Sequence, residues 1–353
     1  MCSLLIVAAA FVLPRASDFK TRGGGGNRQG GADFARPPCD AGCNAATIPA
    51  RGLAKRERSS ARGTAMILDR RTVMGAGLAA GLAAAAGPAL AAEAPAALAA
   101  YERETKGRIG VFAQNLATGA LLTWRADERF VMCSTFKASL AALVLSRVDA
   151  GQERLERQVR FGAKDLLDYA PVAKAKLAKG AMTVGEMCEG AVELSDNTCA
   201  NLLLAEVGGP AALTAFWRRT GDTVSRLDHN EPELNRSPPG DPHDTTTPAA
   251  MARTLRRLAL GEVLKPASRE RLVGWMVDCK TGDNRLRGGL PKAWRIGDKT
   301  GNNGKDASGD IAVAWPKPGA EAVLVCAYTQ GGSPTPAQIE TVFAAVGRMA
   351  AGL

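Results

Sequence analysis

The chain has 353 residues, 46% hydrophobic and 5% aromatic, enough to bury a large core in one big domain or two modest ones. Of its formal net charge of +10, six units fall in residues 1–65 and one in 66–91, which leaves +3 for residues 92–353. That is an ordinary surface balance and gives no ground for nucleic acid as a partner. Eight cysteines reduce to five in residues 92–353 (Cys133, Cys188, Cys199, Cys279 and Cys326), an odd and widely spaced set that excludes a disulfide framework or a zinc site.

Residues 1–65, with Gly23 to Gly26 and an Arg/Pro-rich run, show no periodicity and read as disordered, or as a start codon placed upstream of the true Met66. The apolar Leu4–Leu13 run is too short to span a membrane. From Met66 the chain reads Asp69-Arg70-Arg71-Thr72-Val73, an uncharged Ala/Gly/Leu stretch, and the small-residue site Ala89-Leu90-Ala91. This pattern predicts a twin-arginine signal over 66–91, cleaved after Ala91. A periplasmic or secreted protein follows, monomeric and without a membrane anchor in its mature form.

In the mature part a short helix over 94–104 precedes two strands, Arg108–Asn115 and Ala120–Trp124, joined through Thr118-Gly119. Ser134–Val148 is apolar nearly all round and predicts a core helix. Thr183-Val184-Gly185-Glu186 is a capping box that opens another helix, and further helices cover Thr198–Val207 and Pro210–Arg219. The polar, proline-rich stretch 222–248 has no period, and a loop that long in a compact protein is usually functional. Helices resume at Pro248 and Ser268, strands follow at Arg295–Thr300, Asp310–Trp315 and Ala322–Thr329, and a last helix starts near Thr335-Pro336. The order predicts α/β plus all-α architecture: an antiparallel sheet flanked by helices from both chain termini, formed by 92–132 and 278–353, with an inserted helical domain over 133–277.

Three short motifs carry chemistry. Ser134-Thr135-Phe136-Lys137 opens the core helix, where residues three apart share a face, so Lys137 can reach a nucleophilic Ser134 while helix N-terminal N–H groups stabilise an oxyanion. A second match, Ser17 to Lys20, lies in the leader. Ser195-Asp196-Asn197 sits between two helices; it fits either a plain N-cap or a proton donor next to an amide. Lys299-Thr300-Gly301 ends a strand and offers a cation and a hydroxyl to an anionic substrate, whereas its copy Lys280-Thr281-Gly282 follows a helix.

Together, and in this order, the motifs resemble the class A serine β-lactamases and the related penicillin-binding proteins. The 222–248 loop resembles the class A Ω-loop over its whole length, and the resemblance spans residues 92–353. It implies Ser134 as nucleophile, Lys137 and Ser195 in proton transfer, and Glu231 with its partner Asn235 on the deacylating water. It also implies substrate contacts from Tyr169, Asn197, Lys299, Thr300, Gly301 and Asn302, with Arg285 and Thr281 at the substrate carboxylate, because Ser308 stands where some relatives carry that arginine. The implied oxyanion donors are the N–H groups of Ser134 and Asn302; the acylation base is Lys137 or Glu231 through water. The implied partner is a small β-lactam, with no cofactor and no metal. A D-alanyl-D-alanine carboxypeptidase shares the first three motifs, but Glu231 and Asn235 argue against it; a non-catalytic β-lactam receptor would keep Ser134 but need a membrane anchor and a signalling partner.

Several positions depart from the family pattern. His229 stands where many relatives have an arginine, and is expected to contact Asp244, with Arg226 sharing that pairing. Cys133 and Cys188 lack the partners that would give the family's disulfides, so neither bond is expected. His229 and His243 lack metal-ligand spacing.

Overall fold

The computed structural model describes residues 95–236, 238 and 240–353. The twin-arginine pattern and its cleavage site lie outside them. In chain order the elements begin with α1 (Ala96–Thr105), β1 (Arg108–Asn115), β2 (Leu121–Trp124), β3 (Phe130–Val131) and α2 (Phe136–Asp149). Then come β4 (Gln158–Arg160), α3 (Pro171–Lys176), β5 (Ala181–Thr183), α4 (Val184–Glu193), α5 (Asn197–Val207) and α6 (Pro210–Arg219). β6 (Thr245–Thr246), α7 (Pro248–Ala259), α8 (Pro266–Val277) and α9 (Leu286–Gly289) follow. The chain closes with β7 (Arg295–Asn302), β8 (Ala307–Trp315), β9 (Val323–Gln330) and α10 (Pro336–Ala351).

The first two strands and the last three form one antiparallel sheet in the order β2-β1-β9-β8-β7. Both faces of the sheet's centre are covered, which is why β9 reads as a nearly continuous apolar run. Along β9, Val323, Val325 and Ala327 join one core cluster with Ile109 and Val111 of β1, Leu98 of α1 and Phe343 of α10. The alternate residues Leu324, Cys326 and Tyr328 join the larger cluster, which holds the helices from α2 to α8. A strand's side chains alternate faces at every residue, so one register serves two cores and a one-residue slip would scramble both.

α2 runs through the larger core with every residue from Phe136 to Leu145 buried, as its all-round apolar sequence requires. Its predicted start is corrected by one feature: Cys133–Thr135 forms a 3₁₀ turn, so the nucleophile candidate sits just ahead of the α-helix. The Thr183 capping box forms as expected, Glu186 N donating to Thr183 Oγ1 and Thr183 N to the Glu186 carboxylate. The 222–248 stretch holds only a 3₁₀ turn (Glu233–Asn235) and β6 among its described residues. β6 pairs with β3, two residues before the Cys133–Thr135 turn, so the end of the long loop is stitched to the strand that leads to Ser134.

Candidate active site

Eleven of the thirteen residues singled out from the sequence line one cavity of about 900 Å³: Ser134, Ser195, Glu231, Tyr169, Asn197, Asn235, Thr281, Arg285, Thr300, Gly301 and Asn302. The other two, Lys137 and Lys299, lie beneath it with no exposed surface. Ser134 is 7% exposed, and its Oγ donates to Glu231 Oε1 at 2.9 Å. The other carboxylate oxygen, Oε2, accepts from Asn235 Nδ2 at 2.6 Å.

Lys137 does not hydrogen-bond Ser134 as the helical spacing suggested. Its Nζ donates to Ser195 O at 2.8 Å and Asn197 Oδ1 at 2.5 Å, and pairs with Glu231 Oε1 at 3.1 Å. With Ser195 Oγ as a longer fourth contact, acceptors surround this nitrogen, a setting that suits the three N–H bonds of an ammonium. Burial pulls the Lys137 pKa down, and the Glu231 carboxylate opposes that pull. Lys299 Nζ donates to Ser195 Oγ at 3.0 Å and to Thr300 O at 2.7 Å. Burial pushes its ammonium down to about 8, further than the buried carboxylate of Asp298 can restore. Ser195 Oγ thus lies between two buried lysines, 3.5 Å from Lys137 and 3.0 Å from Lys299.

Asp196 is the N-cap that its sequence position allows, and it does more than cap. Oδ1 accepts from Cys199 N at the start of α5, while Oδ2 accepts from Val172 N and Ala173 N of α3. One carboxylate therefore fixes two helix starts and holds Ser195 and Asn197 on either side of itself. Three non-glycine residues here have left-handed backbones: Cys133 (φ 45°), Ser195 (φ 57°) and Asp244 (φ 56°). Each conformation costs on the order of 1–3 kcal/mol and persists because its surroundings fix it.

Gly301 lets β7 pass close to Ser134. A Cβ there would sit 2.7 Å from Ser134 N and 2.9 Å from Cys133 Cβ, so only glycine lets β7 lie this close to the Cys133–Thr135 turn. The earlier Lys-Thr-Gly copy proves relevant to the site, since Thr281 Oγ1 and Thr300 Oγ1 are 2.5 Å apart. Arg285 Nη1 donates to Gly301 O at 2.9 Å and Gly309 O at 3.0 Å, which fixes the guanidinium on the cavity wall. Tyr169 is 51% exposed at the rim.

In the long loop, His229 Nδ1 and Asp244 Oδ2 are 2.6 Å apart, as expected. Arg226 corrects the expectation: it pairs with Asp228, Nη2 to Oδ1 at 2.5 Å, and does not share Asp244. Asp244 Oδ1 also accepts the backbone N–H groups of Asp228 and His229. The sequence reading missed Asn201 of α5, whose Oδ1 accepts from Glu231 N at 2.9 Å and whose Nδ2 donates to Glu231 O at 2.8 Å. Its signal was available, since Asn201 lies four residues after Asn197 and so on the same helix face. No group of three or more His, Cys, Asp or Glu side chains among the described residues has metal-binding geometry.

Residues 93–352 match the β-lactamase enzyme family over its model. The chain belongs to that family. β-Lactamase L2 of Stenotrophomonas maltophilia is 52% identical over 252 residues, covering 71% of this chain and 83% of the relative. The solved structure of a class A β-lactamase representing the last common ancestor of Gram-negative bacteria is 56% identical, covers 71% of this chain and 96% of its own, and superposes with a TM-score of 0.69. A β-lactamase from Xanthomonas campestris, 46% identical, covers 73% of this chain and 96% of its own with a TM-score of 0.70. As a class A β-lactamase by these likenesses, the chain carries its family match over the whole span that builds the cavity.

Proposed function

We propose that this chain hydrolyses β-lactam antibiotics through an acyl-enzyme on Ser134. The observation that carries the reading is the Ser134 Oγ–Glu231 Oε1 contact of 2.9 Å, with Asn235 on the second carboxylate oxygen. Ser134 Oγ attacks the lactam carbonyl carbon and its proton passes to Glu231, the acceptor already in contact; Lys137, paired with the Glu231 carboxylate, stays an ammonium at that moment. The oxyanion forms against the N–H groups of Ser134 and Asn302. The ring C–N bond breaks, Ser195 protonates the departing nitrogen, and the proton held by Glu231 returns to Ser195 through Lys137, which touches both. Water then adds to the ester carbonyl, Glu231 takes its proton and passes it to Ser134 Oγ as the acyl–oxygen bond breaks. Lys299, Thr300, Thr281 and Arg285 form the pole for the substrate carboxylate, Asn197 the amide contact for the acyl side chain, and Tyr169 the aromatic wall.

The test is Glu231→Ala under a penicillin. Intact-mass measurement is expected to show an adduct of one substrate on Ser134 that forms more slowly, with Lys137 released from Glu231 as the remaining proton acceptor, and then persists, with steady-state turnover down at least about 10²-fold. A variant that turns over freely, or never acylates, rejects the assignment. A penicillin-binding transpeptidase would already hold the adduct in its unaltered form.

The reading includes export. The Arg70-Arg71 pattern supports the twin-arginine route to the periplasm or medium. Arg70→Lys with Arg71→Lys is expected to leave activity in the cytoplasmic fraction; export unaffected by the pair would exclude the route.

A further inference from the structure

Thr135, the residue after the nucleophile, points away from the cavity and is fully buried. Its Oγ1 donates to Met132 O at 2.7 Å and lies 3.0 Å from Tyr328 Oη. A threonine hydroxyl owns one proton, and a carbonyl can only accept, so that proton is spent on Met132. Tyr328 must therefore be the donor to Thr135. The phenol is fully buried, and burial pushes its pKa well up, which keeps it a donor at every working pH.

The ring that carries this hydroxyl has little freedom. It stacks on Phe130 at 6.4 Å between centroids, and the Arg108 guanidinium covers the Phe130 ring at 4.2 Å. Below it lies Gly309, where a Cβ would come within 2.6 Å of Tyr328 Cε1 and 3.1 Å of Thr135 Cγ2. The Gly309 carbonyl is one of the two that receive Arg285, with that of Gly301. The turn above contains the left-handed Cys133, a conformation that relaxes unless something holds it.

We propose that Tyr328 is a positioning residue for the nucleophile: by donating to Thr135 it holds the strained Cys133–Thr135 turn, and through it the Oγ and N–H of Ser134, in the geometry that acylation needs. This rests on the reading of Ser134 as nucleophile. Tyr328 touches no reacting atom. A small displacement of an attacking oxygen is expensive in rate, and the hydrogen bonds of the Lys299 and Thr300 side chains on β7 go to Ser195, Thr300 O and Thr281 rather than to this turn.

The test measures acylation rate and substrate dissociation constant by stopped flow, per active site titrated by burst, in Tyr328→Phe, Thr135→Val, Thr135→Ser and the Tyr328→Phe/Thr135→Val double variant. Tyr328→Phe and Thr135→Val are each expected to slow acylation about fivefold or more with the dissociation constant unchanged, the double no more than the worse single, and Thr135→Ser to stay near the unaltered rate. A purely structural loss would lower the titrated sites and leave the rate per site intact. Additive effects, or an unaltered rate per site in Tyr328→Phe, overturn the proposal. If Tyr328→Phe does not fold, the contrast of Thr135→Val with Thr135→Ser decides alone: equal rates overturn it. Ser134→Ala separates the two claims, since turnover in that variant rejects the nucleophile itself, whereas an inactive Ser134→Ala beside an unaffected Tyr328→Phe rejects only the positioning role.

Discussion

Lys299 meets two opposing demands. It is buried under Ser195 and, in the proposed mechanism, supplies charge to the carboxylate pole of the cavity, yet burial weakens that charge. With its ammonium pushed down to about 8, it carries full charge below that pH and loses it above. The free-enzyme profile of kcat/KM for an anionic β-lactam is therefore expected to fall on an alkaline limb near pH 8. Lys299→Arg should lower the plateau but move that limb upward, because a guanidinium does not deprotonate in this range. A limb that stays in place in the arginine variant would assign it to another group. At this scale most of the site was legible: the three motifs and Glu231 with Asn235 converge on one cavity. What the sequence concealed was connectivity. The spacing of Ser134 and Lys137 invites a direct contact, but the lysine reaches Glu231, Ser195 and Asn197 instead, because those partners arrive from elements far along the chain.

Among the elements, the long loop shows how a stretch without period can be held rigid. Its end pairs as β6 with β3, its cavity-lining residue Glu231 is clamped by Asn201, and its two limbs meet at Asp244. The backbone bonds to Asp244 Oδ1 do not titrate, but the His229 contact to Oδ2 does. That hydrogen bond raises the His229 pKa above 6.5, helped by the charge of Asp244 and opposed by slight desolvation. Its ionic contribution is fully present below the unfolded value near 6.5 and is lost as pH rises through the higher folded one. The side chain is 53% exposed, so screening keeps the effect small. His229→Arg is expected to hold its charge throughout, gaining about 1–3 °C in Tm over the unaltered protein at pH 9 and little at pH 5.5. A difference that does not change between those pH values would remove the tether. Element types with strong periods were read within a residue or two, as for β1 and α6. The two-residue β3 and β6, and the one-turn α9, carry too few residues for any period to register; they exist because tertiary packing places them.

For the molecule as a whole, stability rests on packing rather than cross-links. The five cysteines in the described residues are buried and unpaired, and burial drives every one of these thiols up, away from the reactive thiolate. Cys133 lies against Val131 and Ala307, Cys326 faces the larger core from β9, and each takes the place of a small hydrophobe. A native disulfide in a protein of this size contributes about 2–4 kcal/mol, and about 1 kcal/mol moves Tm by roughly 2–4 °C. Reductant therefore offers a sharp discriminator. The processed chain is expected to melt within about 1 °C with and without dithiothreitol, and a thiol reagent should label it slowly when native but at five sites once unfolded. A Tm drop of several degrees under reductant would mean that a cross-link forms and that the core is reorganised to make it. An unchanged Tm fits a protein that completes its two-sided core before crossing a membrane, as the proposed export route demands, with no oxidising compartment needed to finish the fold.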